Sequence, residues 1–157
     1  MTKLTIEAFR DFFREVHGTD PFPWQERLLR SVAERGAWPA LLDLPTGTGK
    51  TAAIDVALYH LAMEAEAGGG GRVRSAPRRI LFVVDRRTIV DQAYHRAQRI
   101  REALAARAAP ILQLTAEALA GLSHGEDPLR VTVLRGGIAR DDAWAHSPDQ
   151  PLVAVST

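Results

Sequence analysis

The sequence predicts an α/β fold in which helices cover both faces of a parallel β-sheet. Apolar runs typical of buried strands alternate with stretches of helical periodicity. For example, the apolar run at residues 80–84 precedes a helical pattern that ends at Arg107. The intervening helices are long enough to connect parallel strands. A glycine loop, residues 45–51, follows the apolar run 38–44 and precedes another helical pattern. In such sheets, ligands bind at the carboxyl ends of the strands.

We expect one domain over residues 1–157, with two leading helices in residues 1–36 and a flexible glycine and arginine loop at 68–78. The predicted helices span residues 5–16, 24–35, 52–67, 88–107 and 111–122. The predicted strands span residues 38–44, 80–84, 131–134 and 152–155. Thr88 and Asp91 resemble a capping pair at the start of the fourth helix.

The composition excludes several classes of protein. With no cysteine, the chain has no disulfide, no thiolate nucleophile and no cysteine-based zinc site. It has no apolar run long enough to span a bilayer and no secretory signal pattern, so we expect a cytoplasmic protein without membrane contact. A net charge of +1 means that any contact with nucleic acid must use a local basic patch.

The loop at residues 45–51 reads Pro-Thr-Gly-Thr-Gly-Lys-Thr, which is typical of a phosphate-binding turn between a strand and a helix. Gly47 and Gly49 lack a Cβ, so consecutive backbone N–H groups can approach phosphate oxygens. The helix that follows adds its positive N-terminal end. Lys50 would place its charge on the β- and γ-phosphates, and the Thr51 hydroxyl would ligate Mg²⁺.

The match is to a relaxed form of this motif. The strict pattern has a glycine six residues before the lysine, and here that position is Leu44. Lysine usage supports the interpretation. The chain contains eighteen arginines and only two lysines, Lys3 and Lys50. A chain that otherwise uses arginine for its positive charge has therefore kept lysine at the phosphate position.

Gln25 is a candidate for recognition of the base, since it lies twenty-two residues before Gly47. Its amide offers an acceptor and two donors, which can pair with the N6 and N7 edge of adenine. Phe22 or Trp24 could pack on the base. The alternative is a solvent-facing helix glutamine beside a core tryptophan.

Five segments extend the pattern beyond the phosphate loop: residues 24–25, 44–51, 82–92, 134–137 and 155–157. Together they resemble the first RecA-like domain of superfamily 2 helicases. More narrowly, residues 85–92 are similar to the CRISPR-associated helicase–nuclease of type I systems, subtype U/G. The resemblance implies a RecA-like P-loop fold, incomplete at its C-terminus.

The resemblance also implies ATP and Mg²⁺ as cofactors, with Lys50 and Thr51 in catalysis and Gln25 at the adenine. It implies that the phosphates are held by Thr46, Gly47, Thr48, Gly49, Lys50 and Thr51. It implies sequence-independent contacts to the nucleic-acid backbone from Arg86, Arg87, Thr88, Arg135, Gly136, Gly137, Ser156 and Thr157. The implied partners are single-stranded DNA, with RNA left open, and a CRISPR surveillance complex.

The family's acidic box is expected after Thr157, as are a second RecA-like domain, an arginine finger and any nuclease domain. We therefore expect the N-terminal part of a longer helicase, inactive in ATP turnover by itself, whose last strand leaves an uncovered edge. Two alternatives stay open. One is a small NTPase or kinase in which Asp85, at the end of an apolar strand, ligates Mg²⁺. The other is a nucleotide- or nucleic-acid-binding module that does not hydrolyse.

Overall fold

Five α-helices and three β-strands form the part of the chain that the computed structural model describes, residues 3–68, 74–123, 127–134 and 142–157. The helices are α1 (Phe9–His17), α2 (Pro23–Arg35), α3 (Ala53–Glu66), α4 (Arg87–Ala106) and α5 (Pro110–Ala120). The strands are β1 (Arg79–Val83), β2 (Arg130–Leu134) and β3 (Leu152–Ser156). All five predicted helices are confirmed, with their ends shifted by a few residues.

The three strands form a parallel sheet in the order β1-β3-β2. Ala154 of β3 pairs with Leu81 on one side and with Thr132 on the other. The strand at residues 152–156 is therefore the central one. The prediction that this strand leaves an uncovered edge is wrong, since neighbours on both sides use its hydrogen-bonding groups. Among the described strands, the free edges belong to β1 and β2.

One hydrophobic core joins the helices to a single face of the sheet. Val153 and Val155 are fully buried in it, and Phe82 and Val133 pack against it from the flanking strands. The helix α3 is apolar on most of its circumference and is buried over residues 54–62, as expected of a helix surrounded by other elements. No helix in the described ranges has the length and apolarity needed to cross a bilayer.

The opposite face of β1 is open. Leu81 is 62% exposed and Val83 is 59% exposed, although both were predicted to lie in a strand buried on both faces. The described helices do not cover them, because the hydrophobic core reaches only the face that carries Phe82. The prediction of helices on both faces is therefore wrong for β1 in the described part of the fold. The structure remains α/β with a small parallel sheet, which is consistent with a RecA-like fold.

The predicted strand at residues 38–44 is absent. This segment has no regular structure, and Leu41 is 79% exposed while Leu44 packs against the core. A strand needs a neighbouring backbone to pair with. No described strand lies beside these residues, so their apolar sequence alone does not make them part of the sheet.

The start of α4 also differs from the prediction. Arg86 is the N-cap residue and the helix begins at Arg87, without a side-chain cap. Thr88 is therefore inside the first turn, and the predicted capping pair with Asp91 is wrong.

The structure describes only part of the predicted flexible loop, residues 68 and 74–78. Ser75 and Ala76 are held by the Glu64 carboxylate, which accepts their backbone N–H groups at 3.0 and 2.8 Å. The flexibility of residues 68–78 stays a prediction.

Candidate nucleotide-binding site

The predicted phosphate loop is an exposed turn that leads into α3. Gly47 has φ +80° and Gly49 has φ +70°, a left-handed conformation that side chains with a Cβ rarely adopt. The Thr48 hydroxyl donates to the Pro45 carbonyl at 2.8 Å and closes the turn. The chain then enters a 3₁₀ turn, Lys50–Ala52, before α3 begins. Both glycines thus occupy positions where the loop needs their conformational freedom.

Lys50 and Thr51 lie at the point where the loop becomes helical. Lys50 is exposed and forms no salt bridge with the described residues, and Thr51 is half-buried. The 3₁₀ turn begins with the backbone N–H groups of Lys50 and Thr51, and the helix N-terminus behind them favours an anion there. A free ammonium, a hydroxyl and a helix N-terminus fit a nucleotide phosphate with its Mg²⁺. In the described ranges, no three His, Cys, Asp or Glu side chains come close enough to hold a metal ion by themselves.

Trp24 connects the loop to α2. Its indole Nε1–H donates to the Thr48 carbonyl at 2.7 Å, and its side chain is 9% exposed. Trp24 therefore anchors the loop and has little surface left for a base. Sequence reasoning did not find this contact, because it depends on how α2 packs beside the loop.

Gln25 lies beside the same loop, as its spacing predicted, but it is 1% exposed. Its Oε1 accepts the Phe22 backbone N–H at 3.0 Å, which caps the first turn of α2. Its Nε2 is 3.5 Å from the Gly49 carbonyl, a long hydrogen bond. Gln25 thus already has protein partners, and one amide proton is left for another acceptor. Adenine recognition by Gln25 stays a prediction.

Phe22 is the exposed aromatic side chain at the loop. It is 51% exposed, and a Cβ built at Gly49 would lie 3.3 Å from its Cε2 atom. The ring therefore packs against the backbone of the loop and leaves half of its surface open. Of the two aromatic residues considered for base packing, Phe22 has the free surface.

A buried ionic cluster holds the helix that carries the loop. Asp55, in the first turn of α3, is fully buried, and its two oxygens contact His17 Nε2 at 2.6 Å and Arg96 Nε at 2.5 Å. The Arg96 guanidinium also lies over the Phe13 ring, 5.2 Å from its centroid. The cluster ties α3 to α1 and to α4, so the base of the phosphate loop is fixed from two sides.

The predicted nucleic-acid residues follow the carboxyl ends of the parallel strands. Arg86, Arg87 and Thr88 come soon after β1 and are all exposed. Ser156 ends β3, where its hydroxyl donates to the Leu134 carbonyl at 2.7 Å, and Thr157 is exposed. Since the strands are parallel, these groups lie at one edge of the sheet.

Arg78 and Arg79 have structural partners, and a further predicted segment lies outside the described ranges. The predicted Arg135, Gly136 and Gly137 are not among the described residues. Arg78 pairs with Asp149 at 2.5 Å, and the Arg79 guanidinium lies 5.4 Å from the centroid of the Trp144 ring.

A comparison with known protein families identifies the chain more closely. Residues 18–124, more than half of the chain, match the family described as type III restriction enzyme, res subunit. No curated protein and no solved structure matches the chain significantly. The match supports the resemblance to superfamily 2 helicases and does not extend to the narrower CRISPR likeness. The chain therefore belongs to the type III restriction enzyme res subunit family and carries its helicase-like N-terminal domain.

Proposed function

We propose that this chain is the ATP-binding part of an ATP-dependent nucleic-acid helicase or translocase. The observation that carries the proposal is the loop at residues 45–51, with both glycines left-handed, Lys50 free of ion pairs in the described structure, and α3 directly behind it. Membership of a helicase-like family supports the same conclusion. The loop and the helix N-terminus would hold the phosphates, as in other phosphate-binding loops.

The proposed roles follow the chemistry of each side chain. Lys50 would neutralise charge on the β- and γ-phosphates, and the Thr51 hydroxyl would hold Mg²⁺. Mg²⁺ held at Thr51 would supply positive charge that offsets the charge of the phosphates. Phe22 would stack on the base with its exposed face, while Gln25 would offer its remaining amide proton to the adenine edge.

We infer further that single-stranded nucleic acid binds along the carboxyl edge of the sheet. Arg86 and Arg87 are exposed at the start of α4, where the helix adds its positive end. The proposal includes Thr88, Ser156 and Thr157, together with Arg135, Gly136 and Gly137 outside the described residues. Contacts to phosphates would be independent of sequence, which suits a protein that moves along a strand.

The finer assignment is to a DNA-directed helicase–nuclease of a type I CRISPR system, recruited by a surveillance complex in the cytoplasm. Its support is the stretch at residues 85–92, which resembles that group. In the structure this stretch forms the link from β1 into α4, at the edge proposed for the nucleic acid.

We propose that residues 1–157 bind ATP without turning it over. Phosphoryl transfer also needs a carboxylate on Mg²⁺, a group that orients water and usually an arginine finger. Asp85 is the candidate carboxylate of the alternative small-NTPase hypothesis. A phosphate-release assay separates the two, because Lys50-dependent turnover that is lost in Asp85→Asn would favour the small NTPase.

The nucleic-acid role is tested by anisotropy titrations of labelled single-stranded DNA and RNA over a salt series. Replacing Arg87 with Ala should weaken binding equally across sequences and reduce the salt slope by about one unit. The matched control is Arg99→Ala, an exposed arginine of the same helix about 18 Å further along. Equal losses in the two variants, or a loss confined to particular base sequences, would contradict the proposed edge.

A further inference from the structure

We propose that Trp24 is a positioning residue that sets the orientation of the phosphate loop, a role that rests on the nucleotide site proposed above. Its indole N–H donates to the Thr48 carbonyl at 2.7 Å, between residues twenty-four apart in sequence. This contact joins the start of α2 to the middle of the loop. Trp24 would not touch the nucleotide; it would act through the peptide that it holds.

The planar peptide bond explains why holding one carbonyl matters. The Thr48 carbonyl and the Gly49 N–H belong to the same peptide unit, and in a trans peptide they point in opposite directions. With the carbonyl fixed toward Trp24, the Gly49 N–H is fixed away from α2. Loops of this kind bind phosphate through backbone N–H groups. The indole therefore keeps the Gly49 N–H available to a phosphate and keeps the Thr48 carbonyl, which would repel the phosphate, turned away from it.

The neighbouring residue reinforces this arrangement. The Nε2 atom of Gln25 lies 3.5 Å from the Gly49 carbonyl, which belongs to the same peptide unit as the Lys50 N–H. The same carbonyl accepts the Ala52 N–H at 2.9 Å, so this second peptide unit is held both from α2 and from the turn that leads into α3. This restraint is useful because Gly47 and Gly49 flank Thr48, and glycine allows a peptide unit to rotate at little cost.

The test must separate the hydrogen bond of Trp24 from its packing, because its ring also belongs to the hydrophobic core. Trp24→Phe keeps an aromatic ring in the core and deletes the indole N–H. Trp38 provides the matched control. Its Nε1 is buried without a hydrogen-bond partner in the described structure, so Trp38→Phe makes the same chemical change without breaking a contact to the loop.

The experiment measures the affinities of the wild type and variants for ATP·Mg²⁺ and for inorganic tripolyphosphate by calorimetry, with thermal unfolding as the check on folding. We expect Trp24→Phe to weaken both ligands by about threefold to tenfold, the change that one lost hydrogen bond gives. Trp38→Phe should bind both as the wild type does. Phe22→Leu should weaken ATP alone, since tripolyphosphate has no base to stack.

The outcomes separate this inference from the proposed function. If the wild type binds both ligands in a Lys50-dependent manner and Trp24→Phe binds them equally well, the positioning role is wrong and the nucleotide site stands. Equal losses in Trp24→Phe and Trp38→Phe would also overturn it, because they would indicate a general packing effect. A wild type that binds neither ligand would overturn the nucleotide site, and the positioning role with it.

A second measurement covers the case in which Trp24→Phe does not fold. In the wild type, the three indole N–H resonances can be assigned with Trp38→Phe and Trp144→Phe. Adding tripolyphosphate should shift the Trp24 resonance, because its acceptor carbonyl lies in the loop, and should leave the Trp38 resonance in place. A Trp24 resonance that does not respond at saturating tripolyphosphate would overturn the proposal.

Discussion

Gly49 packs against Phe22 and Gln25 at the start of α2. It has φ +70°, and an added Cβ would lie 3.3 Å from Phe22 Cε2 and 3.4 Å from Gln25 Nε2. Gly47 has φ +80° but no atom within 4 Å of the equivalent position. Alanine at either residue therefore meets backbone strain, whereas only Gly49→Ala must also displace the Phe22 ring.

We predict that Gly49→Ala weakens ATP binding about threefold to tenfold more than Gly47→Ala does. Displacing a packed side chain from its rotamer costs about 0.5–1.5 kcal/mol, which corresponds to that ratio. The two variants can be compared with the wild type in one set of ATP titrations. A larger loss in Gly47→Ala would show that the contacts with Phe22 and Gln25 do not shape the site.

The residues of the loop could be predicted from sequence because their order along the chain is itself the signal. Gly47, Gly49, Lys50 and Thr51 form a motif whose spacing does not depend on distant parts of the fold. The anchoring role of Trp24 could not be predicted in this way. Its bond to Thr48 depends on how α2 packs beside the loop, and sequence spacing does not contain that information.

At the level of elements, the buried cluster around Asp55 determines how α1, α3 and α4 hold together. A buried carboxylate is tolerated because His17 and Arg96 compensate its lost hydration. We predict that Asp55→Asn lowers the free energy of unfolding by about 3–5 kcal/mol, because it leaves the Arg96 guanidinium without a counter-charge. Urea denaturation monitored by circular dichroism measures this change.

The surface pair between Arg10 and Glu26 is the control for that experiment. Its side chains are 51% and 29% exposed, so water screens their attraction. Arg10→Met should therefore change the free energy of unfolding far less than Asp55→Asn does. Comparable effects of the two substitutions would contradict the view that burial makes the Asp55 cluster important.

A second property of α3 is its response to acid. Burial lowers the pKa of His60 from its usual value of 6.5, against the opposing effect of Glu64. Burial raises the pKa of Glu64, but hydrogen bonds from Ser75 and Ala76 outweigh this effect and the net pKa is lowered. Both groups therefore bind protons more readily in the unfolded chain, so acid favours unfolding.

We predict that the contribution of these two groups to stability is lost as the pH falls below 6.5, first through His60. One proton gives a slope of at most about 1.4 kcal/mol per pH unit. His60→Leu should flatten the curve just below pH 6.5 in urea denaturation. Replacing the exposed His95 with Gln should leave the slope in place. An unchanged slope in His60→Leu would assign the acid response to other groups.

The absence of the strand predicted at residues 38–44 shows that the pattern of apolar residues alone does not determine a strand. Helix signals are local, so all five helices were found. A strand depends on a partner, and the apolar run before the loop has no described strand beside it. Residues 152–155 show the reverse case, since their continuous apolar run did predict a strand, and the structure places them in the central one.

At the scale of the whole molecule, the open face and edge of β1 are the exposed apolar feature of the sheet. Leu81 and Val83 lie there, beside backbone groups that face no described strand. Such edges promote association.

We predict that Leu81→Lys raises the soluble concentration of residues 1–157, measured by ultracentrifugation and light scattering. Gln113→Lys adds the same charge on α5 and serves as the control; equal improvement in both variants would indicate a charge effect only.

The central claim is that residues 45–51 bind the phosphates of ATP, and calorimetric titration of Lys50→Ala with ATP·Mg²⁺ tests it most directly. A hydrogen bond to a charged group contributes about 1.5–3 kcal/mol, so the account predicts an affinity loss of roughly tenfold to a hundredfold. Lys3→Ala removes the only other lysine and should bind as the wild type does. Equal affinities of Lys50→Ala and the wild type, with both proteins folded, would contradict the account.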